Sequence, residues 1–136
     1  MTRALAVLGL LVLVLSSCNG GTVDNHALKR DAEKVSSLAS EGGLLANDVS
    51  KGRSTKSFVR IHAQEMARAA SDLQDALGKR PTSLGITADV RKLSRLAGKV
   101  SRELERLQLH PTSRTVARSL EQPLEGDVAA ADKLAK

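Results

Sequence analysis

Four stretches of the chain repeat apolar residues at alternating steps of three and four, the spacing of one helix face. The first runs from about 24 to 50 through Leu28, Ala32, Val35, Ala39, Gly42, Ala46 and Val49. Asp24 stands where an N-cap is needed and Gly52 where a helix stops. Gly42 and Gly43 weaken the middle, since an interior glycine costs up to ~1 kcal/mol relative to alanine. The second stretch runs from about 55 to 77, with Ser54 as cap, Gly78 as the residue past its end, and Val59, His62, Met66, Ala69, Leu73 and Ala76 as its seam. The third runs from about 88 to 109 after Thr87, and its seam of Val90, Leu93, Ala97, Val100, Leu104 and Leu107 is unbroken. His110-Pro111 ends it, because the residue before a proline avoids the α region. The fourth runs from about 113 to 134 through Val116, Leu120, Leu124, Val128, Ala131 and Leu134. Pro123 falls inside it and Gly126 follows, which predicts a kink or a break near Gln122.

Short connections make consecutive helices antiparallel neighbours, so the pattern predicts an all-α, up-down-up-down four-helix bundle. No strand-like alternation, internal repeat or low-complexity tract competes with it. Composition sharpens this picture. The chain has no Trp, no Tyr and one Phe, Phe58. Ala, Leu and Val must fill the core, which suits closely spaced helices. The same scarcity argues against single-stranded nucleic acid, whose binding relies on stacked aromatics, and against sugar clefts built on aromatic platforms.

The N-terminus follows a different pattern. Arg3 precedes an apolar run from Ala4 to Leu15, well short of the ~20 residues that span a bilayer. Ser16 and Ser17 then precede Cys18, the only cysteine. Leu15-Ser16-Ser17-Cys18 resembles the lipobox of bacterial lipoprotein precursors. The resemblance implies cleavage before Cys18, diacylglycerol on its sulfur, and a further acyl chain, such as palmitate, on the new amino terminus. It divides the chain into a signal peptide (1–17), a lipidated cysteine with a short tether (18–23) and a helical domain (24–136). Several acyl chains make anchoring stable, whereas one is marginal at ~0.8 kcal/mol per buried methylene. The implied location is the bacterial cell envelope, on the extracytoplasmic side of a membrane. Asn19, where an aspartate often retains such proteins at the inner membrane, favours the outer membrane in a diderm cell. A secretory signal with a coincidental cysteine and an uncleaved membrane anchor are the competing readings. The tether from Asn19 to Val23 reaches at most ~18 Å, which keeps the domain close to the headgroups.

Candidate chemistry is sparse. His62 lies within the apolar arc of the second stretch, level with Gly42 once the first two helices fold together, and with Glu103 nearby. It reads either as a core histidine bonded to a carbonyl or carboxylate, or as a metal ligand. Bundles of the ferritin-like type resemble this one in length and topology, but their sites use Glu-x-x-His, which this chain lacks. His62-x-x-Glu65 has the reverse order, and no metal or other cofactor is expected.

The third stretch carries Lys92, Arg95, Lys99, Arg102 and Arg106 on one line opposite its leucine seam. The line reads as a solvated face, or as a contact for anionic lipid, an acidic envelope polymer or an acidic protein. Arg114 and Arg118 would extend it. The chain is mildly basic, with a formal net charge of +6 before Arg3 is removed. His26 and His110 read as surface or capping residues, and no nucleophile elbow, phosphate loop or zinc-protease motif occurs.

These features lead to three expectations. The first is a non-enzymatic envelope lipoprotein whose helical domain docks a protein or copies of itself. The second is a peripheral binder of anionic lipid or polymer through the basic helix face. The third, a lesser alternative, is a metal-binding bundle. No nucleic acid or small-molecule substrate is implied.

Overall fold

The computed structural model describes residues 21–136, which form helices α1 (Asn25–Ser50), α2 (Lys56–Lys79), α3 (Thr87–Leu109) and α4 (Arg114–Leu134). They pack as a four-helix bundle, and among the described residues there is no strand beyond an isolated bridge between Val23 and Thr82.

The helix ends show which local signals act. Asp24 caps α1 by accepting a hydrogen bond from the Ala27 N–H at 2.8 Å. Gly52 takes the left-handed conformation, at φ +69°, just beyond Lys51. The cap of α2 is Thr55, not Ser54, and its hydroxyl accepts from the Phe58 N–H at 3.4 Å. Gly78 does not end α2. Leu77 is buried in the core and holds the last turn in place, and the stop falls at Arg80, which is extended before Pro81. Thr87 lies inside α3 rather than capping it. Ile86 occupies the cap, and its aliphatic side chain, which has no acceptor to offer, packs half-buried against the core. Ser113 caps α4 by accepting from the Val116 N–H at 3.2 Å.

Of the kink or break expected near Pro123, the break does not occur, and α4 is one continuous helix through it. Proline removes one N–H donor and its ring crowds the preceding turn. Leu120, Leu124 and Ala131, all buried on the same face, hold both halves to the core.

The closest pairs are α2 with α3 and α1 with α4, while α1 also meets α3 across the centre. Polar contacts give the register. Ser101 donates to the Ala67 carbonyl at 2.9 Å and Ser94 to the Gln74 carbonyl at 3.4 Å, so α3 runs against α2. Ser36 donates to Asp132 at 2.7 Å, and Gly52 lies beside Arg114, so α4 runs against α1. The glycine at 42 sets the spacing of the centre. A Cβ there would lie 2.6 Å from Leu104 Cδ2 and 3.5 Å from Leu124 Cδ1. The missing carbon lets Leu104 lie this close to the α1 backbone, whereas Leu124 would be at an ordinary contact distance.

The buried face of α2 differs from the expected seam. Val59, Ala63, Met66, Ala67, Ala70 and Leu77 are buried, whereas Ala69 is exposed and His62, Leu73 and Ala76 are only partly covered. Close packing on α3 turns the alanine-rich side of α2 inward, about one residue position around the helix from the heptad seam.

Candidate functional site

All five cations of the α3 line are exposed, but they are not equivalent. Lys92 pairs with Asp89 one turn back, at 3.2 Å. Lys99 reaches across to α4, where its Nζ lies 2.5 Å from Asp127 Oδ1, and it also meets Glu103 at 3.4 Å. Arg95 lies between them. Lys92, Arg95 and Lys99, with Lys133 from α4, rim an open groove of roughly 540 Å³ whose floor is Leu96, Gly126, Ala129, Ala130 and Leu134. Arg102 and Arg106 continue the line beyond the groove.

Lys99, Glu103 and Asp127 form a half-sunk charge cluster. Asp127 and Glu103 are buried, while the Lys99 side chain is 47% exposed. Burial pushes the Glu103 carboxyl up to about 7, and the neighbouring Asp127 carboxylate pushes the same way, against the opposing pull of Lys99. Burial works against the Lys99 ammonium, but the hydrogen bond and charge of Asp127, followed by Glu103, outweigh it and raise its pKa. Glu103 Oε2 and Asp127 Oδ2 are buried without a partner, as expected where two carboxylates share one ammonium. The cluster ties α3 to α4 and fixes one side of the groove.

Sequence reasoning missed this cluster. Its signal was an acid, Asp127, between Leu124 and Ala131 on the buried face of the fourth helix, one turn-register across from Lys99.

His62 is not a core histidine. It is half-buried and stacks on the exposed Phe58 ring, with centroids 5.4 Å apart and planes 21° from parallel. The space left by Gly42 is filled by Leu104 and Leu124, and Glu103 is engaged by Lys99. Among the described residues, no group of three or more His, Cys, Asp or Glu side chains is placed to hold a metal ion. His26 is exposed near the start of α1, and His110 is the exposed C-cap of α3. Cys18 and the rest of the signal-like segment lie outside the described residues.

The start of the domain carries a feature the sequence did not suggest. The Val23 N–H donates to the Pro81 carbonyl at 2.8 Å, and the Ser83 N–H donates to the Val23 carbonyl at 3.0 Å. Arg80 Nε donates to the Gly21 carbonyl at 3.1 Å, and its Nη1 lies 3.3 Å from the buried Asp31 carboxylate. The segment read as a tether is therefore stapled to the α2–α3 loop from Gly21 onward. No helix among the described residues is long and apolar enough to cross a membrane.

Compared with known proteins, the chain matches no family model, no curated protein and no solved structure.

Proposed function

We propose that this protein is a lipid-anchored lipoprotein of the bacterial cell envelope whose helical bundle is a docking module, not a catalyst. The observation that carries the reading is the order of Arg3, the apolar run and Leu15-Ser16-Ser17-Cys18, followed a few residues later by Val23, which is already bonded to the bundle. Acylated Cys18 would hold the bundle on the extracytoplasmic side, at the outer membrane in a diderm cell given Asn19. Docking is supported at the other end of the bundle, where Phe58 and Ile61 near the start of α2 and Leu109 at the end of α3 are exposed.

Mass spectrometry of the mature N-terminus from isolated envelopes tests the anchor. A diacylglyceryl-modified Cys18 is the expected result, and an unmodified thiol or an intact leader overturns the reading. Crosslinking in native envelopes tests the docking role.

A second reading has its own support in the groove between α3 and α4. Three of the five line cations gather there with Lys133 around an apolar floor, which favours an anionic surface or polymer as ligand. Salt separates the two readings. Charge-driven binding weakens as ionic strength rises, and docking through apolar side chains persists.

A further inference from the structure

We propose that the Val23 end of the bundle is the face that rests on an anionic leaflet, with Leu84 entering the headgroup layer and the helices standing end-on. This rests on the lipoprotein reading above and specifies the posture that reading leaves open.

Three observations converge on this end. First, Gly21 is held at this end by Arg80. Three residue steps back to Cys18 reach at most ~11 Å, so an acylated sulfur cannot lie far from the α2–α3 loop. Second, Leu84 is 100% exposed at the tip of that loop. A lone exposed leucine is ordinary, but this one stands on a fixed base. Ser83 is bonded to Val23, Ile86 packs against the core, and Gly85 turns the chain at φ +91°. The loop therefore presents Leu84 outward instead of folding it in.

Third, the charge around the tip is positive. Lys29 from α1, Lys79 at the end of α2, and Lys133 and Lys136 at the C-terminal end are all exposed. Lys29, Lys133 and Lys136 line one concavity with Ile86, two residues from the tip. The nearby acids are largely engaged, Asp24 in capping α1 and Asp89 in pairing with Lys92. Asp75 near the end of α2, and Asp132, which accepts from Ser36, oppose these lysines in part. Each basic residue near an anionic leaflet adds attraction that decays within a Debye length, so the lysines act only if this end lies close to the surface. The end-on posture also carries Arg106 ~21 Å further from the leaflet than Lys92, at 1.5 Å per helical residue. The outer part of the α3 line would then face away from the membrane.

The chain has no Trp, so one introduced indole is a unique reporter. Leu84→Trp and Leu109→Trp, at opposite ends and both on exposed positions, are made in the full chain and purified from envelopes. Each is placed in vesicles of phosphatidylglycerol mixed with brominated phosphatidylcholine, with helicity checked by circular dichroism. The expected result is blue-shifted emission for Leu84→Trp and quenching several-fold stronger than for Leu109→Trp. Equal quenching, or stronger quenching of Leu109→Trp, overturns the proposal. Removing phosphatidylglycerol is expected to lower the quenching of Leu84→Trp in the Cys18→Ser background, and no change there overturns the role given to the lysines. The N-terminal mass of the same preparations separates the two failures. Acylated protein with a water-exposed indole at position 84 defeats the posture alone. A free N-terminal region defeats the anchor reading, and quenching of Leu84→Trp then decides the leaflet contact by itself.

Discussion

Glu103 shows how one buried carboxyl shapes behaviour that composition cannot reveal. Its pKa rises from 4.5 to about 7 in the folded protein, chiefly because burial disfavours the charged form. The folded state therefore binds this proton more tightly than the unfolded chain does. The resulting stabilisation is complete below about 4.5 and is lost as pH rises through about 7. Because Lys99 leaves one side of the cluster open to screening, the effect is ~1–2 kcal/mol rather than the full nominal value. Denaturant titrations between pH 4.5 and 7.5 should show this decline in the native protein and a flatter profile in Glu103→Gln. The two central glycines predict opposite outcomes. A Cβ at Gly43 would lie 3.9 Å from Leu124 Cβ, an ordinary contact, so Gly43→Ala should raise stability by ~0.5–1 kcal/mol through helix propensity. At Gly42 the added carbon meets the buried Leu104 at 2.6 Å, so Gly42→Val should lower it by ~1–3 kcal/mol. Shifts in the denaturation midpoint check both signs.

Among the elements, α3 was the most legible in the sequence, and the reason is physical. Its heptad leucines and valines face the partner helices without interruption, so periodicity and burial coincide. In α2 they diverge. Alanine is small enough to sit on either side of a seam, and the packing of Ala63, Ala67 and Ala70 on α3, not the heptad rule, decides which side is buried. That shift took His62 out of the core and removed the basis for reading it as a core residue. Asp127 was hidden for the converse reason, since it holds a core position that apolar periodicity passes over. The staple at Val23 is not encoded in any local pattern, because it joins residues 59 positions apart through Arg80 and Gly21. It makes its own prediction. Arg80→Ala leaves the buried Asp31 with only Lys34, 3.6 Å away and 68% exposed, so stability should fall by ~1–3 kcal/mol. Amide exchange at Val23 and Ser83 should accelerate more than exchange in α3. In α4, Pro123→Ala restores a backbone donor without disturbing Leu120 or Leu124. It should stabilise the protein by ~1–3 kcal/mol, measured by the same titrations.

At the scale of the whole molecule, the bundle separates two kinds of surface along its axis. Both ends carry exposed cations; the end where the described chain starts adds the lone Leu84, and the opposite end, with Lys51, Lys56 and Arg60, adds Phe58, Ile61 and Leu109. α1 alone spans ~39 Å at 1.5 Å per residue, so a partner bound at the second end would be held well above an anchoring leaflet. Such a division favours a spacer that presents one end while the other is fixed. It also explains how docking can be tested without harming the fold. Phe58 and Ile61 are more than half exposed, so replacing both with serine should change stability by no more than ~0.5 kcal/mol each. The same double variant should lose crosslinked species in native envelopes, including any self-association, while Arg102→Ala with Arg106→Ala keeps them. Loss in the arginine pair and retention in the Phe58→Ser, Ile61→Ser protein would transfer the docking role to the basic face of α3.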